Sequence, residues 1–145
     1  RVNFGSRARA EDSSLWKTAT ASILSPEERA AWEKETTARE AYRKALAANS
    51  ASKEGYEKIG DLYLGSFKDC QKSQSLAEDR LVYIAAYDMY ARSGNQQKMN
   101  LARAQFPSVT ELFELNWKEG ESKSISCWVG ETVVLKTRGR TGRPR

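Results

Sequence analysis

Apolar positions along this chain recur with a helical period over most of its length, and the period changes near residue 121. From Ser52 to Phe67, the residues Tyr56, Ile59, Gly60, Tyr63, Leu64 and Phe67 lie on one broad face of an amphipathic helix. Glu54, Glu57, Lys58 and Asp61 lie opposite. Glycine inside a helix costs about 1 kcal/mol against alanine, so Gly60 is expected to let another helix approach closely. This stretch is the expected packing hub.

Upstream, Leu15, Trp16, Ala19, Ile23 and Leu24 suit a short helix, and Ser25-Pro26-Glu27-Glu28 starts a longer one. Ser25 can cap it, Pro26 fits the first helical position, and Glu28 can close a capping box. That helix is expected to run to about Ala48, with Ala31, Ala38, Ala41, Tyr42 and Ala45 inward. Downstream, Ser75 and Glu78 open a helix to about Arg92 that is apolar nearly all round and therefore buried. Its stripe is Leu76, Tyr83, Tyr87 and Tyr90; these tyrosines could form a stacking platform, but their spacing assigns them to the core. Gly94 ends this helix, a shorter one spans about Gln96 to Gln105, and Ser108 with Glu111 starts another. The last is expected to bury Val109, Leu112, Phe113 and Trp117 and to stop at Gly120. Beyond Glu121, Ile125, Cys127 and Val129 alternate with Ser124, Ser126 and Trp128. The run Thr132 to Leu135 follows Gly130-Glu131, which predicts a β-hairpin with a type II′ turn. Trp117 and Trp128 are expected between that hairpin and the last helix.

The net charge of +5 over 145 residues divides unevenly. Residues 1–9 and 136–145 hold eight of the 24 basic side chains and no acid, whereas the 126 residues between hold 16 basic and 19 acidic ones. The body is mildly acidic, and the basic character belongs to the ends. Histidine is absent, which removes the commonest acid–base residue and metal ligand. No carboxylate pair is marked as a catalytic dyad, and no glycine-rich phosphate loop is present. No apolar run approaches the roughly 18 residues of a membrane span. The chain opens on Arg1, so a processed product or a fragment is expected, and a signal peptide can be neither seen nor excluded.

Two helices resemble the junction of tetratricopeptide repeats, whose signature is W-x2-L-G-x2-Y, then A-x3-F, then P. Tyr56 stands in the Trp place, Ile59 in the Leu place, and Gly60 and Tyr63 match. Ala38, Tyr42 and Ala45 match second-helix positions, and Ser50 replaces the proline. The resemblance spans about 30 residues, and beyond the helix ending near Arg92 the spacings depart from a 34-residue period. It implies a helical interaction module, with Glu54, Glu57 and Asp61 at partner-groove positions that could receive a basic peptide; a plain solvated face is the alternative. Residues 70–138 also resemble, through Ala85 to Tyr90, Phe106-Pro107-Ser108 and Cys127 to Thr132, the C-terminal part of uncharacterised envelope-associated helical-repeat proteins of Gram-negative bacteria. That resemblance implies a non-catalytic role in the cell envelope.

Two cysteines allow one intramolecular pairing, Cys70 with Cys127, or two reduced buried thiols, and spacing alone leaves both open. The envelope resemblance implies the disulfide. Without histidine, neither a catalytic cysteine nor a structural zinc site is expected. Arg138, Arg140, Arg143 and Arg145 form the one dense basic patch, suited to phosphates or to mere solubility.

The expected fold is mostly α: antiparallel helical hairpins, tetratricopeptide-like, capped by a C-terminal β-hairpin. The chain divides into a basic arm (1–14), a helical domain (15–121), the hairpin cap (122–137) and a basic tail (138–145). The expected function is a non-catalytic protein–protein interaction or scaffold module in a bacterial envelope or periplasmic assembly, with no cofactor, no small-molecule substrate and a protein partner. Self-association is left open. The alternatives are a nucleic-acid-associated protein using its basic termini and, for location, the cytoplasm.

Overall fold

A computed structural model describes residues 24–138. The helices are α1 (Pro26–Ala48), α2 (Lys53–Leu64), α3 (Phe67–Cys70), α4 (Leu76–Asp79), α5 (Leu81–Ser93), α6 (Gln96–Arg103) and α7 (Val109–Glu114). The strands are β1 (Ser122–Ser124) and β2 (Thr132–Val134). The fold is thus mostly helical, with a small antiparallel sheet near the C-terminus. The expected arm at 1–14, the short helix before Leu24 and the tail beyond Arg138 lie outside the described residues.

Two of the three expected capping boxes form in full. Ser25 Oγ accepts from the Glu28 amide (3.1 Å) while the Glu28 carboxylate accepts from the Ser25 amide (2.9 Å). Ser108 and Glu111 repeat the exchange at 3.0 and 2.9 Å. At the third, Ser75 caps the Glu78 amide (3.2 Å), but the Glu78 carboxylate faces the Lys72 ammonium (3.6 Å). The single helix expected from Ser75 to Arg92 is also interrupted, at Arg80, between α4 and α5. Just before the break, Asp79 reaches back to accept from the amides of Lys72 (2.7 Å) and Ser73 (3.0 Å). That pins the loop before α4, where Ser73 takes a left-handed φ of 61°. Gly94 ends α5 at φ 76°, as the turn signal predicts.

α5 is the most enclosed helix: Leu81, Val82, Ile84, Ala85, Ala86 and Tyr90 are all buried. It packs on α2, α6 and β2. Gly60 admits it to α2, since a Cβ there would lie 2.7 Å from the Tyr90 ring. The expected stripe on this helix is met in part: Tyr90 is buried, Tyr83 stacks on Phe67 and Tyr87 packs edge-on against Phe106, but Leu76 is exposed.

Three faces differ from the expectation. On α1 the buried residues are Trp32, Thr36 and Arg39, while Ala41 and Ala45 are exposed. The inward stripe includes an arginine whose charge is met inside, which an apolar pattern does not reveal. On α7 only Leu112 is buried, with Val109 and Phe113 exposed; the helix ends at Glu114 and Asn116 turns left-handed at φ 63°. A helix of under two turns presents a single inward position.

The hairpin pairs Ser122 with Val134, Lys123 with Val133 and Ser124 with Thr132, so its connection runs from Ile125 to Glu131 and is no two-residue turn. Gly130 keeps the positive φ (59°). Ile125, Cys127 and Val129 are buried and Ser124 and Ser126 exposed, as the alternation expects, but the pattern breaks at Trp128, which is buried as well. The loop turns inward because its attachments lie on the helices. Val133 and Leu135 are buried on the inner side of the sheet. No helix among the described residues is long and apolar enough to cross a membrane.

Candidate functional site

Arg39 is the centre of the most enclosed polar cluster. Its residue is fully buried, on the inner face of α1. The guanidinium donates to the carbonyls of Val129 (2.6 Å) and Trp128 (2.8 Å) and to the Tyr63 hydroxyl (2.9 Å). It also lies 5.2 Å from the Trp128 ring centre and 5.6 Å from that of Tyr63, within cation–π range. Tyr63, on α2, donates in turn to the Glu131 carboxylate (2.6 Å), which Arg43 approaches from α1 (3.5 Å). The cluster therefore joins α1, α2 and the loop between the strands.

Burial pushes the Tyr63 phenol well above its ordinary range, Arg39 opposes that shift, and Glu131 adds to it. At neutral pH this hydroxyl is a fixed proton donor, which makes it a structural link and a poor general base. A buried cation is costly unless its hydrogen bonds are met; here the loop carbonyls and the Tyr63 hydroxyl take up the two terminal guanidinium nitrogens.

A second cluster lies on the solvated side of α2. Lys98 of α6 donates to Glu57 (2.8 Å) and to Asp61 (2.9 Å), and the Tyr90 hydroxyl donates to Asp61 (2.7 Å). The hydrogen bond to Glu57, then that to Asp61, raises the Lys98 ammonium, and the same bond to Lys98 lowers the Glu57 carboxyl. Of the three expected groove carboxylates, Glu57 and Asp61 are thus brought together on Lys98, while Glu54 is exposed and takes no part in that cluster.

The expected pairing of Cys70 with Cys127 is present as a disulfide, with Cα atoms 5.5 Å apart across 57 positions of sequence. It ties the end of α3 to the loop between the strands. A cleft of about 430 Å³ opens beside it, lined by both cysteines, Trp32, Asp69, Lys72 and Ser126 among others. Burial raises the carboxyls of Asp69 and Glu35, and for Glu35 the charge of Asp69 adds to the effect. Of the expected basic patch, Arg138 donates to the Phe106 carbonyl (2.7 Å) and lies 3.7 Å from Glu111, while Arg140, Arg143 and Arg145 lie outside the described residues. Trp128 packs on Arg39 and Tyr63, and Trp117 meets the hairpin, with the Lys123 ammonium 4.7 Å from its ring.

Arg39, Glu131 and Lys98 were not signalled by the sequence. For Arg39, its i+7 spacing from the buried Trp32 was the available clue.

The chain matches no family model, no curated protein and no solved structure.

Proposed function

We propose that this chain is a non-catalytic protein-interaction module of tetratricopeptide-like organisation, serving in a bacterial cell-envelope assembly. The repeat-like reading rests on Tyr56, Ile59, Gly60 and Tyr63 and on the close approach at Gly60. A disulfide suits an oxidising compartment and is compatible with the periplasm.

The observation that carries the interaction reading is the outer surface of α7. Phe113 is 78% exposed and Val109 49% exposed. They border a groove of about 210 Å³ lined also by Leu112, Trp117 and Thr137. A large aromatic side chain left beside a mostly apolar groove supports the reading that another protein covers this surface. The acidic face of α2 is the weaker candidate, because Lys98 already occupies Glu57 and Asp61.

The test is capture of partners from the source cells by the tagged chain in non-reducing buffer, identified by mass spectrometry, beside the Phe113→Asp variant. A defined set of envelope proteins held by the parent chain and lost by the variant, with unchanged circular dichroism, is the expected result. Retention of the same set by the variant removes α7 as the contact. Recovery of nucleic acid instead moves the function to the basic ends.

A further inference from the structure

The loop from Ile125 to Glu131 is fastened to the helices at three successive places: Cys127 by the disulfide to Cys70, Trp128 and Val129 by their carbonyls to Arg39, and Glu131 by its carboxylate to Tyr63. Only the first is covalent, and Cys127 is adjacent to Trp128 in the chain. The helices do not depend on it in the same way, because α5 is packed between α2 and α6 through contacts that the loop does not make. Loss of the covalent fastening therefore falls first on the loop.

We propose that the Cys70–Cys127 bond is a reducible latch, opened by a dithiol reductant through the adjoining cleft, and that its reduction frees the 125–131 loop while α2 and α5 stay folded. The cleft brings both half-cystines, Trp32 and Lys72 to one opening about 430 Å³ in volume. Lys72 donates to the Ser126 hydroxyl at 2.6 Å, so its ammonium sits beside the residue that precedes Cys127. A thiolate of the reductant attacks one sulfur, forming a mixed disulfide as the Cys70–Cys127 bond breaks. The other cysteine leaves as a thiolate. The second thiol of the reductant then attacks the mixed disulfide. Two electrons pass to the protein, the reductant ends as a disulfide, and its two protons finish on Cys70 and Cys127.

Opening has a specific consequence. Once Cys127 is released, Trp128 and Val129 are held by the Arg39 hydrogen bonds and by the packing of their buried side chains, with no covalent tie, and their departure uncovers the Arg39 guanidinium and the Trp128 ring. The reduced form thus presents a cation and an aromatic group that the oxidised form conceals.

Hydrogen exchange of the full chain, followed by mass spectrometry with and without dithiothreitol or a reduced thioredoxin-type dithiol protein, tests this. Thiol alkylation reports how far reduction has gone. The expected result is reduction under native conditions, with exchange over residues 125–131 rising at least tenfold and exchange over α2 and α5 unchanged. The Cys70→Ser, Cys127→Ser double variant is expected to show the same pattern without reductant; should it fail to fold, the reduced parent chain still decides. Reduction that requires denaturant, exchange that rises throughout the chain, or exchange that does not change in the loop each overturns the latch.

Discussion

α2 carries two clusters built from the same three kinds of group, a cation, a tyrosine hydroxyl and a carboxylate, on opposite sides of one helix. On the inner side, Arg39 and Tyr63 are enclosed, Glu131 is half-buried, and the guanidinium is met by two backbone carbonyls. On the outer side, Lys98, Tyr90 and Asp61 meet at similar distances, but Lys98 and Asp61 keep about a third of their side-chain surface in water. Water decides the difference. Outside, it can replace any lost partner; inside, a lost partner leaves a charge or a carbonyl with nothing to bond.

The largest effect is expected from Arg39→Ala, which leaves the carbonyls of Trp128 and Val129 and the Tyr63 hydroxyl without their donor. The loss is about 3–5 kcal/mol by chemical denaturation, the cost of breaking a buried charged network. Arg39→Met, which keeps much of the volume and removes the charge, is expected to lose less. A loss under about 1 kcal/mol for Arg39→Ala places the inner cluster in the same class as a surface pair.

A smaller effect is expected from alkali, and it involves a tyrosine from each cluster. Burial raises both Tyr63 and Tyr90, and the hydrogen bond to Asp61 adds to the shift at Tyr90. A group whose folded value lies above its unfolded value, about 10 for tyrosine, contributes stability that is complete below that pH. The contribution is lost as pH rises through the window above it. Urea midpoints measured from pH 8 to 11.5 are therefore expected to fall only above about pH 10. In absorbance titrations Tyr63 and Tyr90 are expected to ionise last among the six tyrosines. Early ionisation of Tyr63 contradicts its burial.

The smallest effect is expected from Lys98→Ala. Exposed ion pairs contribute little and are screened by salt, so the melting temperature is expected to move only slightly, and the difference from the parent chain to shrink in concentrated salt. A large, salt-independent loss makes the two clusters equivalent.

Local signals in the sequence carried over well. Ser25 with Glu28, Ser108 with Glu111 and Gly94 mark element ends through bonds between residues a few positions apart, and each forms as expected. Gly60 announced a close approach, and Tyr90 makes it. What pattern could not supply were partners distant in sequence. Lys98 reaches Glu57 across 41 positions and Asp61 across 37, so two of the three carboxylates read as a partner groove, or else as a solvated face, are already paired within the chain. Of the expected inner face of α1, Ala31 and Tyr42 pack against the core but Ala41 and Ala45 lie outward, and Arg39 is the buried residue that was missed, because hydrophobic periodicity counts a paired arginine as polar. The hairpin was legible as a change of period but not in register, since Trp128, expected to face outward, is buried against Arg39 and Tyr63. The pairing of Cys70 with Cys127 rested on resemblance, and proximity in the fold supplies it.

The reach of Arg39 also fixes an order in time. Its carbonyl partners lie 89 and 90 positions further along the chain, so during synthesis α1 is made long before anything exists that can accept its guanidinium. Until Trp128 and Val129 have emerged, the inner face of α1 has a charge that it cannot bury, and the earlier helices cannot close on it as they do in the finished fold. The final docking of α1 therefore waits until Trp128 and Val129 have been made, and a nascent chain that stops before Ile125 is expected to remain open along this seam.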